Sequence, residues 1–410
     1  MSMANDTGVQ TSRLEIGPEE YAGRIGSLQT VLERESLDGF CVFGPTRVSY
    51  LTGFFYAATE RPIVLVVPRE GEPGLLIPKL EVDHVAQQCP TLKHIVTYPE
   101  YPGGGSGRHP LLSLVELLET LRVHQGALAA DHDGYENRWG YRGPKLSQIL
   151  GREVSERLEL VDDLRMVKSD AEVALIEEAC RWGDHAHKLM QVAIHEGVNE
   201  LTVSHEASLQ ATRDMLAALG ERYVPKAREG MPAQAMFIAG SNTSNPHGLH
   251  EQRGVQAGDV LVTGAFALVG GYESELERTM IVGQPSADFI RYFEAMLAAQ
   301  DAAFDALRPG RRCAEVEDEV TAFIRDELGM AELTRHHTGH AFGLEGHEHP
   351  FLDLDDDTVI APGMIFSLEP GLYVPGLAGF RHSDTVLVTE TGCRNLCHYP
   401  RDLAHLTVSL

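Results

Sequence analysis

The chain has 410 residues, 43% hydrophobic and 23% charged, with a formal net charge of −26. This length holds two domains with proper cores, and this balance is that of an ordinary globular protein. The negative charge argues against nucleic acid and anionic membrane as partners, and no apolar run reaches the ~20 residues of a bilayer span.

The opening stretch MSMANDTGVQTSRLE has no basic region followed by an apolar core, so a cytoplasmic protein without a secretory signal is expected. The six cysteines (Cys41, Cys89, Cys180, Cys313, Cys393, Cys397) are scattered, and read as structural thiols in a reducing compartment. A helix is expected over 17–36: acids follow Pro18, and Tyr21, Ile25, Leu28 and Leu32 recur at helical spacing. Short apolar runs at 39–43, 62–67 and 74–78 read as strands, and 110–124 and 144–150 as helices. Tyr101 to Arg108, rich in glycine, reads as a flexible loop. This alternation predicts an α/β domain over 1–160.

The remainder, 161–410, reads as a second, α+β domain. Arg165, Lys168, Ser169 and Glu172 lead into a long helix from Asp170 to about His195, and further helices are expected near 200–219 and 286–307. Between them, GDVLVTGAFALVGGYESELERT (Gly258–Thr279) reads as two strands turning at Gly270-Gly271. Four other short segments carry candidate chemistry: Pro246-His247-Gly248; Gly339-His340 through Gly343-Leu344 to His347-Glu348; Glu369-Pro370-Gly371; and Gly379-Phe380-Arg381-His382-Ser383-Asp384.

In order and spacing, these segments resemble the prolidase / aminopeptidase P / creatinase family. The resemblance implies a pita-bread catalytic domain preceded by a smaller α/β domain of creatinase/prolidase type. It also implies a homodimer in which Arg61 of one subunit reaches the other's pocket. Against the family's ligand set of two Asp, one His and two Glu, this chain keeps His340 and Glu369 and offers Glu275 for one aspartate. Gly264 and Ser383 occupy the other two slots. Glycine has no ligating side chain and a serine hydroxyl is a poor bridge, so a two-metal centre is not expected.

Creatinase, which also lacks metals, reads LERT at the hairpin, as Leu276-Glu277-Arg278-Thr279 does here. The resemblance therefore implies that Glu277 and Glu369 grip a guanidinium or amidinium. His247 would act as base, and His340 is also a catalytic candidate. His347, Arg381 and Arg61 would bind substrate. Two departures bear on this: histidine sits at His382 rather than at the Ser383 slot, and Thr59 replaces a substrate-facing phenylalanine. The expectation is a metal-independent, creatinase- or ectoine-hydrolase-type enzyme that cleaves a C–N bond in a small cationic substrate and has no cofactor. The alternatives are an Xaa-Pro dipeptidase or aminopeptidase with one divalent metal on Glu275, His340 and Glu369, and a non-catalytic binding protein. Taken alone, Glu277 beside Arg278 is an ordinary strand ion pair, and His336, His337 and His349 are packing or surface histidines.

Overall fold

The computed structural model describes residues 13–99, 109–135, 140–228 and 230–410. The segment 1–12 and the loop Tyr101 to Arg108 lie outside the described residues. The chain forms two compact units: Ile16–Val167 with Lys226–Arg228, and the chain from Lys168 onward that holds most of the rest.

In the first unit, helix Pro18–Arg34 starts on proline, with Glu19 and Glu20 favourably placed at its positive end. Its buried face carries Ile25, Leu28 and Leu32. The mixed sheet runs in the order His94–Tyr98, Gly74–Pro78, Val64–Pro68, Gly39–Val42, Leu128–Ala130, Ser155–Glu156. The three central strands are buried along their whole length, as near-continuous apolar runs require. A core of Val64, Val66, Leu76, Leu114, Leu117 and Leu128 lies on one side of the sheet.

The second unit opens with helix Asp170–Ala193, where Ser169 and Glu172 form a reciprocal capping box. Its large sheet runs Glu348–Leu352, Gly339–Ala341, Ile365–Leu368, Ser383–Val388, Leu276–Val282, Val260–Val269, Ala233–Ala239. The hairpin turns where expected, with Gly270 and Gly271 at φ 60° and 95°, a region few other residues enter. Helices Glu200–Leu219, Ala287–Ala306 and Cys313–Asp326 complete an α+β unit. No helix among the described residues is long and apolar enough to cross a membrane.

The middle of this sheet is pinned by Arg278. Its guanidinium lies 2.7 Å from Asp384, both side chains fully buried, and donates to the carbonyls of Glu277, Ser383, Tyr399 and Pro400. A buried ion pair survives only when its remaining donors are satisfied in this way.

Candidate metal centre

Neighbouring strands bring the candidate residues together. Glu277 lies opposite Gly264 on one side and opposite Ser383 on the other. Because side chains alternate along a strand, Glu275 and Glu277 share a face and Arg278 takes the other. The same alternation separates Ser383, which donates to Glu275 at 2.5 Å, from His382. His382 is fully buried against Phe293, edge to face, with no hydrogen-bond partner at either ring nitrogen. Burial and the nearby Arg278 and Arg401 charges hold its pKa well below the usual range.

Glu275 is held by its backbone as well: it exchanges hydrogen bonds with the Thr385 hydroxyl, and the Cys397 thiol donates to its carbonyl. His340 stands on the short strand Gly339–Ala341, its N–H donating to Ser367 Oγ. Glu369 follows strand Ile365–Leu368, and its N–H donates to Thr338. His340 Nε2 lies 3.2 Å from Glu369 Oε1 and 3.6 Å from Glu275 Oε2. One ligating atom from each of the three residues falls within a 4.8 Å group.

Burial opposes a charge on His340. The Glu369 hydrogen bond and the Glu275 and Glu369 charges outweigh it and push its pKa up to about 9. Burial would likewise raise Glu369, but His340 and Arg381 hold it low. Glu275 is raised, by burial and then by Glu369. The cluster thus carries a proton in the middle of three donors, where a cation would neutralise the same charges.

Glu277 does not present an open carboxylate. Arg381 holds it: NH2 donates to Oε1 at 2.6 Å, and Nε lies 2.5 Å from Oε2 as an ion-pair contact without hydrogen-bond alignment. Arg381 is itself buried, and its NH1 reaches the Tyr373 hydroxyl at 3.2 Å and the Pro246 carbonyl at 3.3 Å. Tyr373 is bonded in turn to His336 Nε2 at 2.7 Å. Sequence reasoning missed Tyr373 and set His336 aside. Tyr373 lies two residues beyond Pro370-Gly371, the one signal available.

His347 lies exposed, its ring stacked on His340 with centroids 3.7 Å apart. Burial of its inner face and the His340 charge hold its pKa low. Its neighbour Glu348 points away, to a buried ion pair with Lys168 at 3.2 Å and to the N–H groups of Leu344 and Glu345. Glu348 thereby ties down the loop that carries His347. His247 sits exposed on the loop after the 3₁₀ turn Gly240–Ser244, near enough for its charge to act on His347. Arg61 belongs to the first unit, where its guanidinium pairs with Glu60 at 2.6 Å.

An imidazole and two carboxylates converging on one point suit a single divalent cation of the zinc or manganese type. The slots for a second do not fit: Gly264 has no ligating side chain, and the Ser383 hydroxyl is engaged with Glu275.

A small α/β unit followed by an α+β unit whose sheet carries this carboxylate–imidazole cluster defines the two-domain pita-bread hydrolases. The chain belongs to Metallopeptidase family M24, which matches residues 174–390, and residues 24–167 match the Creatinase/Prolidase N-terminal domain. It is 27% identical over 357 residues to a putative dipeptidase, YkvY, of Bacillus subtilis, covering 87% of this chain and 92% of that one. It is 33% identical over 245 residues to an Xaa-Pro dipeptidase of Pyrococcus furiosus, covering 60% and 67%. The solved dipeptidase PepE from Mycobacterium ulcerans superposes with a TM-score of 0.81 at 27% identity, covering 97% and 100%.

Two expectations are corrected. The metal-independent, creatinase-type reading fails against a metallopeptidase family and relatives named as dipeptidases. Its physical basis fails as well, because Glu277 already holds the guanidinium of Arg381. The expectation of no cofactor is overturned by the same family and by the convergence of Glu275, His340 and Glu369. The expectation of a hydrolase acting on C–N bonds stands.

Proposed function

We propose that the chain is an Xaa-Pro-type dipeptidase or aminopeptidase that works with one divalent cation held by Glu275, His340 and Glu369. The observation that carries this reading is the 4.8 Å grouping of those three donors in a chain of Metallopeptidase family M24. The Xaa-Pro dipeptidase of Pyrococcus furiosus and the dipeptidase PepE, both similar to this chain, support the substrate class. When bound, the cation would polarise the scissile carbonyl and acidify a water. His347, stacked on His340 and open on its other face, offers an imidazole to the substrate or the leaving amine. His247 supplies a second imidazole from the facing loop. Arg381 keeps its position by its pair with Glu277 and sets the wall between that loop and Glu369. The substrate is a short peptide, and the six free thiols support a reducing, cytoplasmic location. A homodimer, with Arg61 serving the neighbouring subunit, remains part of this reading on the strength of the family resemblance.

The test is metal content together with a panel of Xaa-Pro and other dipeptides. Purified protein should hold about one divalent ion per chain, and chelation should abolish cleavage. His340→Ala should lose both the ion and the activity. Full activity in a metal-free preparation would sink the proposal.

A further inference from the structure

Arg381 is a hazard to a cation site. It is buried, and its Nε lies only 3.8 Å from Oε2 of Glu369, one of the three proposed ligands. A guanidinium does not give up its proton at any ordinary pH, so burial cannot silence it. Left bare, it would repel a divalent ion across a few ångströms of poorly screening protein and would compete for the same carboxylate. It cannot swing aside either: NH1 is held by Tyr373 and the Pro246 carbonyl, and the Thr279 hydroxyl braces its backbone N–H and C=O.

Glu277 answers this charge. It faces Glu275 and Glu369 from the central strand and holds the guanidinium with both oxygens. Its neighbours in register, Gly264 and Ser383, add no charge of their own. With His340 neutral, as a ligand must be, three carboxylates and one guanidinium leave the cluster at two negative charges. That is the complement of one divalent ion and not of two.

We propose that Glu277 is a positioning residue that holds and neutralises Arg381, so that the cluster's charge is set for one divalent cation. The inference rests on the single-cation reading above and adds that the affinity of the site depends on a residue that does not ligate. Glu277→Gln keeps the shape but leaves Arg381 as an uncompensated cation. Glu277→Gln combined with Arg381→Met removes both charges and restores the balance.

The experiment is calorimetric titration of the full-length, metal-stripped chain with Mn²⁺. Melting curves should verify that each variant is folded, and Glu277→Thr is the substitute should the Gln variant not fold. Wild type should take up one Mn²⁺. Glu277→Gln should bind it roughly ten- to a hundredfold more weakly, the effect of one unit charge at short range in protein. The double variant should recover to within about threefold of wild type, because the charge balance is restored. Lost packing alone predicts the opposite, with the double variant as weak as the single or weaker. That result would overturn the proposal, as would a single variant that binds like wild type or a wild type that takes two ions. A wild type that binds no Mn²⁺ refutes the single-cation reading itself, and this inference with it.

Discussion

Gly264 offers the sharpest probe of the site, because the space beside it can be measured. A Cβ built there would meet Met236 Cγ at 3.7 Å and Glu277 Oε1 at 3.9 Å, both ordinary contact distances. Gly264 lies inside strand Val260–Val269, where glycine costs about 0.5–1 kcal/mol relative to alanine. Gly264→Ala should therefore be neutral or more stable by about that amount. Gly264→Asp puts a carboxylate on the same face, about 4 Å from Glu277. At the effective dielectric of such sites, two like charges at that distance repel by at most about 4 kcal/mol, an upper bound because Arg381 already compensates Glu277. Less the backbone gain, the aspartate variant should be up to about 3 kcal/mol less stable than wild type in chelator. Divalent cation should then return stability to Gly264→Asp more than to wild type, since a second site filled at a hundredfold excess over its own dissociation constant would add about 2.7 kcal/mol. Urea denaturation of the three proteins, with chelator and with Mn²⁺, measures each quantity. If Gly264→Ala is destabilised by more than about 1 kcal/mol, the space is not there. If Gly264→Asp responds to cation no more than wild type does, the slot does not lie on the metal face.

Asp384→Ala should cost about 3–5 kcal/mol, because it strands Arg278 in a fully buried position. A loss under about 1 kcal/mol in chemical denaturation would show that the carbonyls around Arg278 suffice without the carboxylate. His382 is neutral when folded, with its pKa held far down by burial, whereas the unfolded chain takes up a proton below about pH 6.5. Its stabilising contribution is thus present above that pH and lost as pH falls. At pH 5 this loss is about 2 kcal/mol, which His382→Leu should remove, making the stability profile between pH 7 and 5 less steep; the buried His187, its pKa held down to about 3, keeps its own share. Arg61→Ala should raise KM for a carboxylate-bearing dipeptide and leave the particle mass in light scattering the same as that of wild type; an unchanged KM removes Arg61 from the site.

The local grammar of the chain was legible without coordinates. Pro18 with its acids and Gly270-Gly271 each act within a few residues, through dipole and backbone freedom. The helices near 200–219 and 286–307 follow from hydrophobic period, and they appear as Glu200–Leu219 and Ala287–Ala306. His340, Glu369 and Glu275 could be singled out because each sits in a short motif whose spacing is local.

What Glu277 does could not be read in this way. In sequence it stands beside Arg278, yet strand alternation turns the two to opposite faces, and Glu277 finds its partner 104 residues away in Arg381. His382 and Ser383 are adjacent in the chain, yet one is buried against Phe293 while the other bonds Glu275. The ring of His347 gains its meaning only by stacking on His340. Residue identity and spacing determined which ligands this protein has to offer. Which charges meet, and which are already spent on one another, was decided by strand register and by side-chain direction, since electrostatic pairing in a buried site depends on distances of a few ångströms that the linear order does not contain.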